Sequence, residues 1–118
     1  MDILIGGSGK DDLKGGKNDD LLFGGWTLYD DYVESLTLIM AEWNSGRDYG
    51  TRVANLRTGS GAVLNGTGVK LSESGASQSV FNNDGEKDSL KGDSDLDWFF
   101  AELGQDKITR KNGFEKLN

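Results

Sequence analysis

The chain has 118 residues, with 13 basic against 20 acidic side chains and a net charge of −7. It holds 18 glycines but no cysteine or histidine, which excludes disulfides, zinc–thiolate sites and histidine-dependent nucleophilic catalysis. No basic stripe is present for nucleic acid, and no apolar run is long enough to span a membrane. A chain of this length predicts one domain.

A nine-residue repeat opens the chain. Residues 6–14 (GGSGKDDLK) and 15–23 (GGKNDDLLF) place an aspartate sixth, Asp11 and Asp20, and a leucine eighth. Asp2 is already the sixth place of a row whose start is missing, so we expect the sequence to be a fragment of a longer protein. Each row predicts a six-residue turn, in which glycines allow positive φ angles, and then a short strand whose middle, eighth side chain points inward.

Two helices are predicted next. Apolar residues recur at helical spacing over residues 29–43, with Thr27 as the N-cap and residues 44–46 as the end. A shorter helix is expected to begin at residue 45 or 46 and to stop at residues 59–61. The aromatic stripe of the first helix could line a ligand groove, but core packing is the expectation.

The region after the helices, residues 61–82, is rich in Gly and Ser. Its composition predicts loops, with short strands near residues 63–64, 69–71 and 80–81.

The repeat returns in four rows that cover residues 83–118. The sixth places remain acidic: Asp88, Asp97, Asp106 and Glu115. The eighth places remain apolar: Leu90, Phe99, Ile108 and Leu117. Most of the glycines of the first rows are lost. In the last row Arg110 and Lys111 replace both glycines and Glu115 replaces Asp, a change that favours a cap ending a repeat array.

The seventh and ninth places point to the outside of each strand and alternate in character from row to row. In one set of rows these places are apolar: Ile3, Ile5, Leu21, Phe23, Trp98 and Phe100. In the other set they are polar: Asp12, Lys14, Ser89, Lys91, Lys107 and Thr109. An apolar face must be covered. The sequence therefore predicts that the amphipathic helix packs on it.

These rows resemble the RTX, or hemolysin-type calcium-binding, repeat family, whose repeat reads GGxGxDxUx with U apolar. Residues 6–14 match every fixed place, and residues 15–23 depart only at Asn18. The resemblance implies a mainly β fold: a short parallel β-roll (β-solenoid) with an inserted amphipathic helix pair packed on one outer face. It implies a single calcium-binding domain over residues 1–118. The parts of that domain are a first repeat block (2–25), a helical insertion (26–59), a region of loops and short strands (60–82), and a second repeat block with a cap (83–118).

Calcium is the implied ligand, because it takes six to eight oxygens without strict geometry. Turn carbonyls and carboxylates are the predicted metal ligands: Asp2, Gly7, Gly9, Asp11, Gly16, Asn18, Asp20, Asp84, Glu86, Asp88, Asp93, Asp95, Asp97 and Asp106. Residues 93–97 also read DxDxD, as an EF-hand loop does, but Trp98 and Gly104 stand where that loop needs Gly and Glu. Stacked carboxylates repel without an ion, so folding is expected to be coupled to metal binding.

We expect a non-catalytic calcium-binding module, monomeric, whose partners are calcium ions and the rest of a larger parent chain. The resemblance implies a secreted or surface bacterial protein, exported by type I secretion with an uncleaved C-terminal signal, that folds on meeting calcium. Two alternatives stay open. One is an adhesion or recognition module that uses residues 61–82 or the polar face, and the other is a capping domain, with calcium purely structural in both.

Overall fold

The computed structural model describes residues 1–110 and 115–118, in two compact units. The first unit combines Met1–Thr27 with Phe81–Asn118, and the second is Leu28–Val80. The elements in chain order are β1 (Ile3–Ile5), β2 (Asp12–Gly16), β3 (Leu21–Phe23), β4 (Trp26–Thr27), α1 (Val33–Trp43), α2 (Tyr49–Thr58), α3 (Gly61–Leu64), β5 (Val80–Phe81), β6 (Ser89–Asp93), β7 (Trp98–Phe100), β8 (Lys107–Thr109) and β9 (Lys116–Leu117).

The first unit contains two parallel sheets, built from alternate rows of the repeat. One sheet has the order β1-β3-β7-β9 and the other β2-β6-β8. The register aligns equal places of the repeat: Leu22 pairs with Leu4 on one side and with Phe99 on the other. Rows that are 77 residues apart in sequence, such as those of Leu13 and Leu90, are therefore direct neighbours.

The core of this unit is made of eighth-place side chains. Leu22, Leu90 and Phe99 are fully buried and cluster with Ala101, and further eighth-place residues pack against them: Leu4, Leu13, Ile108 and Leu117. Members come from both sheets, so the sheets share one apolar interior. Full burial of a Leu or Phe side chain is worth roughly 1.5–3 kcal/mol. The predicted inward direction of the eighth place is confirmed.

The predicted alternation of the outer places is also confirmed. Leu21, Phe23, Trp98 and Phe100 are at most 1% exposed. The rings of Phe23 and Phe100 stack with centroids 4.5 Å apart. On the other sheet, the lysines and Asp12 at these places are exposed.

The second unit contains the three helices, and many of its apolar side chains are buried. Its fully or nearly fully buried apolar side chains come from the helices and the following loop: Ile39, Trp43, Leu56, Leu64, Val69 and Leu71. Glu42 on α1 is completely buried, and its carboxylate accepts hydrogen bonds from Arg47 (2.8 Å) and Asn55 (3.1 Å). A buried charge needs such partners. The Arg52 guanidinium lies 4.7 Å from the centre of the Trp43 ring.

The predicted fold class is wrong. The molecule is a small α/β protein with parallel sheets and helices, not a mainly β parallel β-roll. Helices α1 and α2, of 11 and 10 residues, are each longer than any strand, and they belong to a compact unit of their own. The strands form separate parallel sheets that are not curled into a solenoid. The physical reason is that the apolar residues of Leu28–Val80 follow helical spacing rather than the nine-residue period, and this segment forms a compact unit that holds the helices.

Several helix boundaries also differ from the prediction. Helix α1 begins at Val33, not directly after Thr27. Thr27 is not the N-cap, because it lies with Trp26 in β4, which pairs with β5. Helix α2 begins at Tyr49, where Asp48 caps it by accepting a hydrogen bond from the Thr51 N–H, and Gly59 ends it with φ 69° as expected. Residues 61–64 form the short α3 in place of a strand, and no strand lies at residues 69–71, whereas the strand at residues 80–81 is confirmed. No described helix has the length and apolarity to cross a membrane.

Candidate metal-binding turns

The turns of the first two rows share one backbone conformation. The second and fourth places have positive φ in both: Gly7 at 84°, Gly9 at 94°, Gly16 at 91° and Asn18 at 74°. Glycine adopts this region without steric cost, which explains its recurrence at these places. All four residues were predicted to bind the metal through their carbonyl oxygens, and the two turns place them in the same backbone conformation.

The degenerate row at residues 92–100 keeps the same conformation without the glycines. Asp93 and Asp95 occupy its second and fourth places with φ of 74° and 70°. Left-handed backbone costs an ordinary L-residue roughly 1–2 kcal/mol, although Asp and Asn tolerate it best. The neighbouring rows enforce the turn here: the Ser94 N–H donates to the Gly16 carbonyl, and the Asn18 N–H donates to Asp95 Oδ2.

Sixth-place carboxylates form a ladder along the four-stranded sheet. The Asp2 N–H donates to Asp20 Oδ1 at 2.6 Å, and the Asp20 N–H donates to Asp97 Oδ1 at 2.7 Å. Asp20 and Asp97 are 0% exposed. Each carboxylate thus binds the backbone of the neighbouring row, and the sixth-place acid has a structural role besides any metal role.

A second ladder follows the three-stranded sheet. Its steps run from the Asp11 N–H to Asp88 Oδ1 (2.7 Å) and from the Asp88 N–H to Asp106 Oδ1 (2.9 Å). The other oxygen of Asp106 accepts a hydrogen bond from the Glu102 N–H. Asp88 is completely buried, whereas Asp11 and Asp106 are half-buried.

In the three rows that begin with Gly6, Gly15 and Gly92, the sixth-place carboxylate lies close to the position that a Cβ of the first residue would take. A Cβ on Gly6 would lie 2.7 Å from Asp11 Oδ2, and one on Gly15 would lie 2.7 Å from Asp20 Oδ2. Gly92 faces Asp97 in the same way. Those oxygens of Asp11 and Asp20, and also Oδ2 of Asp88, are buried and have no hydrogen-bond partner among the described residues.

Burial makes the carboxylates of Asp20, Asp88 and Asp97 costly to ionise. Desolvation, only partly offset by the bond from the Asp2 N–H, raises the pKa of Asp20 to about 6. Desolvation raises the pKa of Asp88 to about 6, and nearby Asp84, Asp106 and Asp11 add to the shift. For Asp97, desolvation with the nearby charges of Asp20 and Glu115 raises the pKa to about 7. A bound cation would relieve both the desolvation and the repulsion.

The remaining predicted ligands lie at the rims of the turns. Asp2, Glu86, Asp93 and Asp95 are exposed, and Asp93 forms an ion pair with Lys91 at 3.3 Å. Asp84 Oδ1 accepts a hydrogen bond from the Glu86 N–H, while its Oδ2 is buried without a hydrogen-bond partner.

Some residues of the turns were missed by the sequence reasoning. Asp19 Oδ1 accepts the Leu96 N–H at 2.8 Å and joins two turns 77 residues apart. The doubled acid at residues 19–20 was a signal for this contact. Glu115 is buried, as its sixth place suggests, although it was not among the predicted ligands. Glu102 accepts the Gly85 N–H at 3.3 Å, and nothing in the repeat register indicates that contact.

The donor set fits a hard cation held by mixed ligands. Within residues 1–110 and 115–118, no three acidic side chains converge into a ready-made metal cluster. A site here therefore depends on turn carbonyls together with one or two carboxylates. The buried oxygens of Asp11, Asp20 and Asp88, which lack hydrogen-bond donors, are oxygens of the kind that calcium prefers.

Comparison with known proteins agrees with this chemistry. Residues 1–26 match the family model of the RTX calcium-binding nonapeptide repeat, a model of four copies, so the resemblance inferred from the register is confirmed. Repeats of this family are non-catalytic calcium-binding modules. No curated protein and no solved structure gives a significant match to the chain.

Proposed function

We propose that the chain is a non-catalytic calcium-binding module of a larger secreted or surface protein, and that calcium completes its fold. The observation that carries the proposal is the pair of carboxylate ladders. Buried oxygens of Asp11, Asp20 and Asp88 lie beside left-handed turns without a hydrogen donor. A protein whose buried acids lack partners gains stability from a cation that binds only the folded state.

The residues that would hold calcium are those of the turns. The carbonyls of Gly7, Gly9, Gly16 and Asn18 and the sixth-place carboxylates of Asp11, Asp20, Asp88 and Asp97 are the proposed principal ligands. Asp2, Asp84, Glu86, Asp93, Asp95 and Asp106 lie in or beside the same turns and are proposed to supplement them. Calcium would neutralise the stacked carboxylates, while the backbone of each row fixes their spacing.

Export before folding is part of the proposal. Proteins with these repeats are typically secreted by bacteria. Calcium sites of extracellular modules have dissociation constants of ~10⁻⁴–10⁻³ M, which suits a switch from a calcium-poor to a calcium-rich compartment. The net charge of −7 opposes compaction until cations bind.

Calorimetric titration tests the calcium site directly. We expect saturable calcium binding at sub-millimolar to millimolar concentration and much weaker binding of magnesium, which demands a tight octahedron. The double variant Asp20→Asn, Asp97→Asn keeps an acceptor for each ladder bond but removes two charges, and it should bind calcium more weakly. Equal heats for both metals, or none for calcium at several millimolar, would contradict the proposal.

A capping role is the second candidate, and Asn118 favours it. The Ala101 N–H donates to Asn118 Oδ1 at 2.7 Å, and the Asn118 amide donates to the Ala101 carbonyl at 3.0 Å. One side chain thus satisfies both backbone groups of Ala101, the residue that follows β7. Calcium would then serve only to hold the shape of a terminal module. Lys111, whose place in the last row also favours a cap, lies outside the described residues.

A further inference from the structure

The insertion between the two repeat blocks interrupts a single turn. Gly24 follows β3 as Gly6 follows β1, and its N–H donates to the Phe100 carbonyl at 2.9 Å, as the Gly6 N–H donates to the Phe23 carbonyl at 2.9 Å. Gly24 is therefore the first place of a new row. The chain leaves that row after Gly25 and enters β4.

The same row is completed by residues more than sixty positions later. A Cβ on Gly24 would lie 3.1 Å from Asp88 Oδ2, the relation that Gly15 has to Asp20 within its uninterrupted row. Asp88 is followed by β6, which pairs with β2 as the strand of that row should. Gly24 and Asp88 are thus the first and sixth places of one turn made from two chain segments.

Uncharged contacts bring the two segments together. The Trp26 and Phe81 rings stack with centroids 4.1 Å apart. The Phe81 carbonyl lies where a Cβ of Gly25 would be, so only glycine allows this approach. Strands β4 and β5 pair at the same place.

The charges in the split turn have no counterion among the described residues. Asp88 Oδ2 is fully buried without a hydrogen-bond partner, and Asp84 Oδ2 is buried in the same condition. Asp106 Oδ2 lies 3.1 Å from the same Cβ position of Gly24. None of these three carboxylates forms an ion pair with a described residue, so the segments meet with uncompensated negative charge.

We propose that this split turn is a divalent-cation site and that the bound ion clasps the entry and the exit of the insertion. Carboxylates of Asp84 and Asp88 and turn carbonyls at Gly24 and Gly25 are its ligands. The ion would join segments that the sequence separates widely, so calcium would order the ends of the insertion as well as the repeats. The inference rests on the proposed calcium function and adds a specific place and consequence.

Amide hydrogen exchange measured by NMR tests the clasp. In the full chain, the amides of Trp26, Thr27 and Phe81 should exchange about tenfold more slowly at a calcium concentration ten times the dissociation constant, because ligand suppresses opening by the factor 1 + [L]/Kd. Asp88→Asn should abolish this calcium effect. Asp12→Asn is the control, since Asp12 is an exposed carboxylate of the neighbouring strand β2 and is not among the proposed ligands, and this variant should retain the effect.

The outcomes separate the clasp from the proposed function. If calcium binds by calorimetry but the three amides do not respond, or respond equally in both variants, the clasp is refuted and the calcium function stands. If calcium does not bind at all, both are refuted. If Asp88→Asn fails to fold, Asp84→Asn provides the test at the rim of the same turn, and an unchanged calcium effect in that variant would overturn the clasp.

Discussion

The backbone N–H of Asp20 donates to Oδ1 of Asp97 at 2.7 Å across 77 residues of sequence, and both side chains are fully buried. The bond fixes the spacing of two neighbouring rows. It also holds two buried carboxyl groups close together. Stability and metal affinity therefore depend on the same pair of residues.

The first prediction concerns pH in the absence of calcium. Desolvation raises the pKa of Asp20 and Asp88 to about 6 and that of Asp97 to about 7, from 3.8. Between pH 4 and 7 the folded protein consequently binds more protons than the unfolded chain, so its free energy of unfolding falls as pH rises. We expect the melting temperature in chelator to be higher at pH 5 than at pH 8.

Calcium should reverse this dependence, because protons and calcium compete for the same carboxylates. In millimolar calcium the melting temperature should gain more at pH 8 than at pH 5. The double variant Asp20→Asn, Asp97→Asn should show a flatter pH profile in chelator. A chelated wild-type protein that loses stability steadily from pH 8 to pH 5 would contradict the account.

The second prediction concerns the first-place glycines. Gly15→Ala introduces a Cβ 2.7 Å from Asp20 Oδ2 and 3.0 Å from the Gly92 carbonyl. We expect a loss of about 1–3 kcal/mol in the free energy of unfolding, the usual cost of overpacking. Gly46→Ala is the control, since its Cβ would meet nothing within 4 Å, and should fall within about 0.5 kcal/mol of wild type. Equal stabilities in urea titrations would show that the carboxylate is not fixed there.

The third prediction concerns the left-handed residues of the degenerate row. Asp93 has φ 74° and an exposed side chain, so Asp93→Gly relieves backbone strain and Asp93→Ala increases it. The glycine variant should exceed the alanine variant by about 1–2 kcal/mol in chelator. Indistinguishable variants would mean that this turn does not have the conformation of the first rows.

Much of the first unit could be predicted from the period of nine. The sixth and eighth places fix which side chains are buried, and alternate rows must belong to alternate sheets because each turn reverses the chain. The split turn was not foreseen. Residues 83–87 fit the register by themselves, and only the spatial relation of Gly24 to Asp88 shows which segment begins that row.

The helical unit was harder to predict for a different physical reason. Periodicity located α1 and α2, but not where their apolar faces would be buried. Helical spacing gives each helix one apolar face but names no partner for that face, and the buried side chains of the same unit include Leu56, Leu64 and Leu71. Thr27 looked like an N-cap, but pairing with β5 placed it in a strand.

The fourth prediction concerns the buried face of helix α1. Ile39 is 1% exposed, so Ile39→Ala should cost about 2–5 kcal/mol. Val33 lies on the same helix but is 76% exposed, and Val33→Ala should stay within about 0.5 kcal/mol of wild type. Urea unfolding followed by circular dichroism compares the two. Similar losses in both variants would contradict the burial of Ile39.

Calcium-dependent stability is the central claim, and a thermal melt at several free-calcium concentrations tests it most directly. Circular dichroism should show a midpoint that climbs continuously from chelator to about 10 mM calcium, as ligand linkage requires. The same concentrations of magnesium should raise the midpoint far less. A midpoint that is unchanged between chelator and 10 mM calcium would show that the turns keep the shape of calcium sites without binding the ion.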